Sequence, residues 1–317
     1  MELSICIVSY NCRSLLSRCL RSIREHAGGL SVEVIVTDNA STDGTPEMVR
    51  ERFPEAILLA NDENRGFAGG TNQAMCRASS DVLLMLNPDT QVHSGTLPYL
   101  TRFLHERSEA GAAGPAVYGP EGGLQHTCHQ FPTLWLSVVA QLGLHRLLPG
   151  TRAFGAYDMT WWDHKQPRRV DWLSGACIAT RRDVWEQVGP LDEGYFMYSE
   201  DVDWCYRLSR AGYERWYLPD VRITHHEAGS WGGAPRERIL AAHRANFRFF
   251  GKHYGRASEI LERLIVAWGA SARGNFWTIL RPVLGEREGV MTDPHTHFGV
   301  VQLATDFDQT YRAKGGT

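Results

Sequence analysis

Asp81-Val82-Leu83-Leu84-Met85-Leu86-Asn87-Pro88-Asp89-Thr90 is the stretch on which the fold of this chain turns. Val82 to Leu86 are apolar without alternation, the pattern of a strand covered on both faces, and they run straight into Asn87, Pro88 and Asp89. A buried strand thus brings a carboxylate to its carboxyl end. In open α/β sheets ligands gather beyond those ends, where an acid can hold a hard cation and, through it, a phosphate. The same letters also fit a plain Pro-Asp turn leaving the sheet, so the stretch has to be weighed with its surroundings.

Upstream, the apolar run Leu3 to Ser9 is followed by Tyr10-Asn11, after which Leu15, Leu16, Cys19, Leu20 and Ile23 recur at helical spacing. Val32 to Val36 repeats the strand signal and ends in Thr37-Asp38-Asn39. Thr45 as N-cap with Pro46 at the first helical position predicts a helix through Phe53. Ala56 to Ala60 is a third strand, and Asn61 to Gly70 reads as a polar, glycine-bearing loop before a short helix at Thr71 to Arg77. Downstream, Gly95 to Arg107 is helix-like and Ala112 to Tyr118 strand-like. This alternation predicts an α/β fold with a Rossmann-like, mostly parallel sheet flanked by helices.

Three of these strands end in polar clusters: Ser9-Tyr10-Asn11, Asp38-Asn39 and Asn87-Pro88-Asp89. Parallel strands set such clusters along one edge, a common seat for a nucleotide. Yet no G-x-G-x-x-G follows the first strand and no G-x-x-x-x-G-K-[ST] occurs, so phosphate has to be held in another way. A metal at Asp89 would do so.

The 317 residues carry a net charge of −3, which gives no sign of a nucleic-acid partner. Seven cysteines form no C-x-x-C pair, as expected of reduced thiols in a cytosolic protein. No secretory signal is readable at the start, and the apolar runs fall short of the about 18 residues that span a bilayer.

The second half is less regular. Tyr118 to Pro132 reads as an excursion or hairpin. Leu134 to Leu148 and His164 to Arg169 read as a lid or an acceptor-facing insertion. Val170 to Thr180 is a strand-like run whose small residues suggest close backbone approach. Arg182 to Val188 is helix-like and stops at Gly189-Pro190. Ser199 is a credible N-cap for a helix through Arg210, with Glu200, Asp201 and Asp203 in its first turn.

Together these motifs resemble glycosyltransferase family 2, the inverting GT-A type. The carriers are Ile7-Val8-Ser9-Tyr10-Asn11, Asp38-Asn39-Ala40-Ser41-Thr42-Asp43-Gly44, Asn64-Arg65-Gly66-Phe67-Ala68-Gly69-Gly70-Thr71-Asn72, Leu86-Asn87-Pro88-Asp89, Trp172-Leu173-Ser174-Gly175-Ala176, Ser199-Glu200-Asp201-Val202-Asp203 and the segment Pro219 to Ser230. The resemblance covers Leu3 to Tyr254, and within the family the chain looks most like the rhamnosyltransferase-like branch. It implies a GT-A domain over residues 1–254, with a nucleotide-binding half (1–118) and an acceptor and catalytic half (119–254). Residues 255–317 are then a helical extension and tail.

The resemblance further implies that Ser9, Tyr10, Asn11, Asp38, Asn64, Arg65, Gly66, Asn72 and Asn87 bind the nucleotide. Trp172, Ser174 and Gly175 would line the sugar or acceptor. Asn87 and Asp89 fall at the family's Asp-x-Asp metal motif, with an amide in place of the first acid. A divalent Mg or Mn cation there depends on the diphosphate oxygens and on a further ligand. His225 is the candidate for it, and His226 the alternative, since adjacent strand residues face opposite ways. Asp201 matches the catalytic base, with Glu200 beside it.

The activity implied is inverting transfer from a dTDP-, UDP- or GDP-linked donor, best matched by dTDP-rhamnose, to a glycan or lipid-linked acceptor in cell-surface polysaccharide synthesis. A catalytically silent nucleotide-sugar- or glycan-binding protein is the competitor, and intact Asp89, Asp201 and His225 speak against it. Arg256 to Leu280 places Ile260, Leu261, Leu264, Ile265 and Trp268 among Glu259, Glu262 and Arg263. Its mixed charge favours packing on the catalytic domain over a peripheral contact at the inner membrane face. A homodimer contact stays open. Val300 to Leu303 reads as a short strand.

Overall fold

The computed structural model describes residues 2–226, 235–284 and 293–306. The chain begins as β1 (Leu3–Ser9), α1 (Arg13–His26), β2 (Val32–Asn39), α2 (Thr45–Arg52), β3 (Ile57–Asn61), α3 (Gly66–Arg77), β4 (Val82–Leu86), β5 (Thr90–Val92), α4 (Thr96–Glu106) and β6 (Ala110–Tyr118). Next come β7 (Leu124–Gln125), β8 (Cys128–His129), α5 (Leu134–Gln141), α6 (Leu144–Leu147), β9 (Arg168–Arg169), β10 (Trp172–Leu173), β11 (Cys177–Arg181) and α7 (Arg182–Val188). It closes with α8 (Glu200–Arg210), β12 (Glu214–His225), α9 (Pro235–Tyr254), α10 (Arg256–Leu284) and α11 (Pro294–Thr305).

The main sheet runs β3-β2-β1-β4-β11-β6-β12-β5, with β7 on β6 and β9 on β12. β1 is parallel to β2 and β4, and β2 to β3. Every residue of β1 and β4 is buried, as their unalternating apolar sequences require of strands covered on both faces. Leu16, Cys19, Leu20 and Ile23 of α1 join the core beneath them. The sheet is mixed beyond β4, because β11 lies antiparallel between β4 and β6. Ser9 stands opposite Asp38 in the β1–β2 register, which brings two of the three polar strand ends side by side.

Several local expectations change. α3 starts at Gly66, not Thr71, because the glycines permit close packing: a Cβ on Gly70 would come within 2.8 Å of Val8, and one on Gly66 within 2.4 Å of the Phe196 carbonyl. Gly44, with a φ of 79°, occupies the N-cap position expected for Thr45. The run from Val170 to Thr180 is broken at Ser174–Ala176 into β10, which pairs with β8, and β11 in the main sheet. Ser199 has a φ of 64°, so its backbone is left-handed and lacks the extended conformation of a side-chain cap. Val300 to Leu303 lies inside helix α11, where Val300 and Leu303 are buried against Phe247, Val266 and Ala270.

The chain forms two compact units that do not follow the expected boundary at residue 254. The first comprises Met1–Phe131, Trp162–Phe196 and Glu200–Gly232; the second comprises Pro132–Trp161, Met197–Ser199 and Gly233–Thr317. α9 thus belongs with α10 and α11. In this second unit Glu259 and Arg263 are completely buried and paired at 2.9 Å, and Arg263 also donates to the carbonyls of Leu303 and Ala304 at the end of α11. Glu259, Glu262 and Arg263 of α10 therefore face inward, and Leu261, Leu264 and Trp268 face solvent. That overturns the packing face expected from the sequence: a buried ion pair is tolerable when hydrogen bonds satisfy it, and here helix-end carbonyls do so.

Beside that pair, burial pushes the Glu262 carboxyl up from 4.5 to about 7, against hydrogen bonds from Ser137 and Asn246 that lower it. A raised native pKa means that the stability is full below the unfolded value near 4.5 and is lost as pH climbs through about 7. Urea melts at pH 5 and pH 8 should show the Glu262→Gln variant gaining roughly 3 kcal/mol relative to wild type on the alkaline side. Equal pH dependence in both proteins would refute this.

Candidate active site

The site is built at the carboxyl ends of β1, β2 and β4, where the main chain leaves the sheet. Asn87 follows β4 directly, and its backbone N–H donates to the Ala176 carbonyl at 3.0 Å. Thr90 closes the turn by donating from its hydroxyl to the Asn87 carbonyl at 2.7 Å. Asp89 is 4 % exposed. Its Oδ1 lies 3.1 Å from Nε2 of His225, and Asn87 Nδ2 lies 3.5 Å from the same nitrogen. The β12–β5 pairing brings them together, because His225 registers with Thr90.

Gln125 orients that imidazole. Its Nε2 donates to the His225 carbonyl at 3.1 Å, which leaves its Oε1 facing His225 Nδ1 at 3.1 Å. Nδ1 is thereby turned to Gln125 and Nε2 to Asp89 and Asn87, so Nε2 is the nitrogen that faces the place of a cation, as in histidine ligands held by an outer carbonyl or amide. The main-chain N–H of His226 donates to the Asp89 carbonyl at 3.0 Å, and its imidazole Nε2 is buried without a hydrogen-bond partner. One carboxylate and one imidazole suit Mg²⁺ or Mn²⁺ with the remaining positions filled by phosphate and water. Among the described residues no group of three His, Cys, Asp or Glu side chains converges as a ready-made metal cage. Glu227 and the rest of the segment to Ser230 lie outside the described residues.

On the other side of Ala176, Gly175 donates its N–H to Asp201 Oδ2 at 2.9 Å. Val202 N–H donates to Asp201 Oδ1 at 2.8 Å. Asp201 is half-buried, and burial raises its pKa while these donors and His129 oppose the rise. Glu200 is buried deeper, with one carboxylate oxygen lacking any partner. Burial, then the neighbouring Asp201 charge, push its pKa well above the ordinary carboxylate value. Burial raises both carboxyls of the pair, Glu200 the more strongly. Asp203 is taken up by Arg207, whose Nε donates to it at 2.9 Å.

The nucleotide-side residues divide into two groups. Asp38 is buried, and its Oδ2 accepts from Ser41 N–H at 2.9 Å while Oδ1 has no partner, an oxygen open to a donor from a ligand. Burial raises its pKa. Tyr10 is half-buried at the end of β1, and Arg65 is exposed at the start of α3. The others are occupied by the protein. Ser9 Oγ sits 3.2 Å from Cys12 Sγ, and Asn11 Oδ1 accepts from Thr42 N–H at 2.8 Å. Asn64 Oδ1 accepts from Gly66 N–H at 2.9 Å. Asn72 corrects the expectation most clearly: both its amide hydrogens go to Leu191 O and Glu193 Oε1, and its oxygen accepts from Leu191 N–H. Its side chain anchors the loop after α7 and has no donor left for a nucleotide.

Trp172 is buried, donates from Nε1 to the Gln130 carbonyl and stacks on His129 with ring centroids 4.1 Å apart. Ser174 is tied to Thr127 through its backbone, and its Oγ accepts from Ala176 N–H at 3.4 Å. Gln125 and His129 belong to the site without any sequence signal, and Asn39 stands in one of the polar strand ends with a structural task. Asn39 donates from Nδ2 to the Gly66 carbonyl and so holds the α3 start against β2. Only the pairing of β7 with β6 and of β8 with β10 brings the first two into reach.

A parallel sheet edge with an amide, a carboxylate and an imidazole converging beside a second, hydrogen-bonded carboxylate is the layout of a GT-A glycosyltransferase. The chain belongs to glycosyl transferase family 2, whose model matches residues 4–189. It is 32 % identical over 272 residues to the N-acetylglucosaminyl-diphospho-decaprenol L-rhamnosyltransferase of Mycobacterium tuberculosis, covering 80 % of this chain and 85 % of that protein. It is 28 % identical over 182 residues to the rhamnosyltransferase WbbL of Escherichia coli, covering 56 % of this chain and 58 % of that one. The fold matches the mannosyltransferase PcManGT from Pyrobaculum calidifontis, solved with GDP-Man and Mn²⁺, with a TM-score of 0.58 at 17 % identity over 96 % of this chain and 85 % of that one. The chain is thus a glycosyltransferase of the rhamnosyltransferase-like branch with a GT-A fold.

Proposed function

We propose that the enzyme transfers rhamnose from dTDP-rhamnose to a lipid-linked glycan acceptor in cell-surface polysaccharide synthesis, with inversion at the anomeric carbon. The mycobacterial relative's own name, which specifies a rhamnosyl donor group and a diphospho-decaprenol acceptor, supports both halves. One observation carries the chemistry: Asn87 and Asp201 are hydrogen-bonded to adjacent residues, Ala176 and Gly175, so the carboxylate and the diphosphate-holding cluster flank one short segment.

In this reading Asp38 accepts a hydrogen bond from the nucleoside through its unpartnered oxygen. Asp89 and His225 hold the divalent cation, which supplies charge neutralisation to the departing diphosphate. Asp201 removes the proton of the acceptor hydroxyl as the oxygen–carbon bond forms and the carbon–phosphate oxygen bond breaks on the opposite face. The electron pair leaves with dTDP. Burial beside Asp201 raises the Glu200 pKa, which disfavours a second negative charge next to the base.

A thermal-shift panel of dTDP-, UDP- and GDP-sugars with Mn²⁺ tests the donor, since a ligand of the native state raises its melting temperature. dTDP-rhamnose should give the largest shift and should be hydrolysed slowly without acceptor. A preference for a UDP- or GDP-sugar would overturn the donor, and no response to any nucleotide sugar would overturn the reaction.

A further inference from the structure

In the second unit, α10 presents Leu261, Leu264, Trp268, Phe276 and Ile279 outward, each between 48 and 70 % exposed. Their spacings of 3, 4, 8 and 3 follow one side of a helix, with Ala272 also exposed between Trp268 and Phe276. The stripe from residue 261 to residue 279 is about 27 Å long at the helical rise. No charged side chain interrupts it. The charged residues of that span, Glu262, Arg263 and Arg273, are all turned to neighbours, with Arg273 donating to Gln141 Oε1 at 2.7 Å on α5. α5 itself adds exposed Trp135. The exposed amide of Asn275 lies within the stripe, and a monomer surface seldom exposes so long a largely apolar band without something to cover it.

Charge selects the occupant. The residues of the second unit include 14 Lys and Arg against 9 Asp and Glu, whereas the rest of the chain has 19 against 27. Exposed Arg146, Arg152, Lys252 and Arg256 lie in this basic unit. Pairing two copies through the stripe would bring two net-positive units together. An anionic lipid surface meets both the apolar band and the positive charge. No described helix is long and apolar enough to cross a membrane, so the contact is one of lying on the surface.

We propose that the outward face of α10 docks this enzyme on anionic bilayers, burying Leu261, Leu264 and Trp268 at the headgroup boundary. The proposal extends the lipid-linked acceptor reading, yet vesicle binding is measured without donor or acceptor, so either can fail alone. The full chain is sedimented with phosphatidylcholine vesicles and with vesicles containing one quarter phosphatidylglycerol, at low and high salt. Binding is expected on the anionic vesicles, weakening as salt rises. The charge-neutral triple variant Leu261→Gln, Leu264→Gln, Trp268→Gln should lose at least about tenfold in partition. Its melting temperature and Mn²⁺-dependent donor binding should stay at wild-type values. Ile279→Gln, at the far end of the stripe, gives a second and milder probe should the triple variant unfold. Equal binding by variants and wild type, or no binding by wild type, would overturn the proposal. So would a wild-type dimer that the variants dissolve while vesicles are ignored.

Discussion

Asp201→Asn is expected to lower kcat by about 10²–10⁴-fold while donor binding and melting temperature stay near wild type, the range for loss of a positioned general base. The amide is nearly isosteric and its oxygen can still accept the Gly175 N–H, so the turn between β10 and β11 keeps its hydrogen bond and the one lost is the local bond from Val202 N–H. What disappears is the proton acceptor. A purely structural role, an acid complementing the first turn of α8, would leave turnover unchanged. The wild-type pH profile adds a second signature: burial lifts the Asp201 pKa, so activity should fall on acidification at a pH above the ordinary aspartate value. Below that pKa the base is protonated and idle. A variant retaining wild-type turnover, or an acid limb at the ordinary value, would sink the assignment.

Asp89→Ala should remove the metal-dependent part of donor binding and depress transfer by about 10²-fold or more, as expected when several kcal/mol of charge neutralisation are lost. The change is local. Asp89 binds His226 through its main-chain carbonyl, so the β5–β12 edge keeps that bond in the variant. Calorimetry of dTDP binding with and without Mn²⁺ separates the contributions: the metal increment should vanish and the metal-free affinity remain. Because Asn87 stands where the family pattern has a second acid, cation affinity in the absence of nucleotide should be weak already in wild type. An unchanged metal increment in the variant would take Asp89 out of the metal site.

Much of this site was legible in the order of residues along the chain. β4 reads from its unbroken apolar run, and a carboxylate just beyond a buried strand has one place to go, the carboxyl edge of the sheet. Asp201 was likewise readable as an acid opening a helix. Gln125 and His129 were not, because each acts through a partner distant in sequence. The α3 start is hidden for a related reason: Gly66, Gly69 and Gly70 have poor intrinsic helix propensity, and only the approach of Val8 and Phe196 shows why small residues are needed there. Asn72 shows the reverse, a motif amide consumed by Leu191 and Glu193.

The sequence alone determined the α/β alternation, the polar strand ends and the positions of the acids, since these follow from hydrophobic periodicity and local turn chemistry. It also marked α10 as two-faced. Which face turns inward was decided only in three dimensions, because Glu259 and Arg263 neutralise each other and Arg263 satisfies carbonyls at the end of a helix 40 residues further on. With its charges compensated inside, the helix could leave Leu261, Leu264 and Trp268 outside.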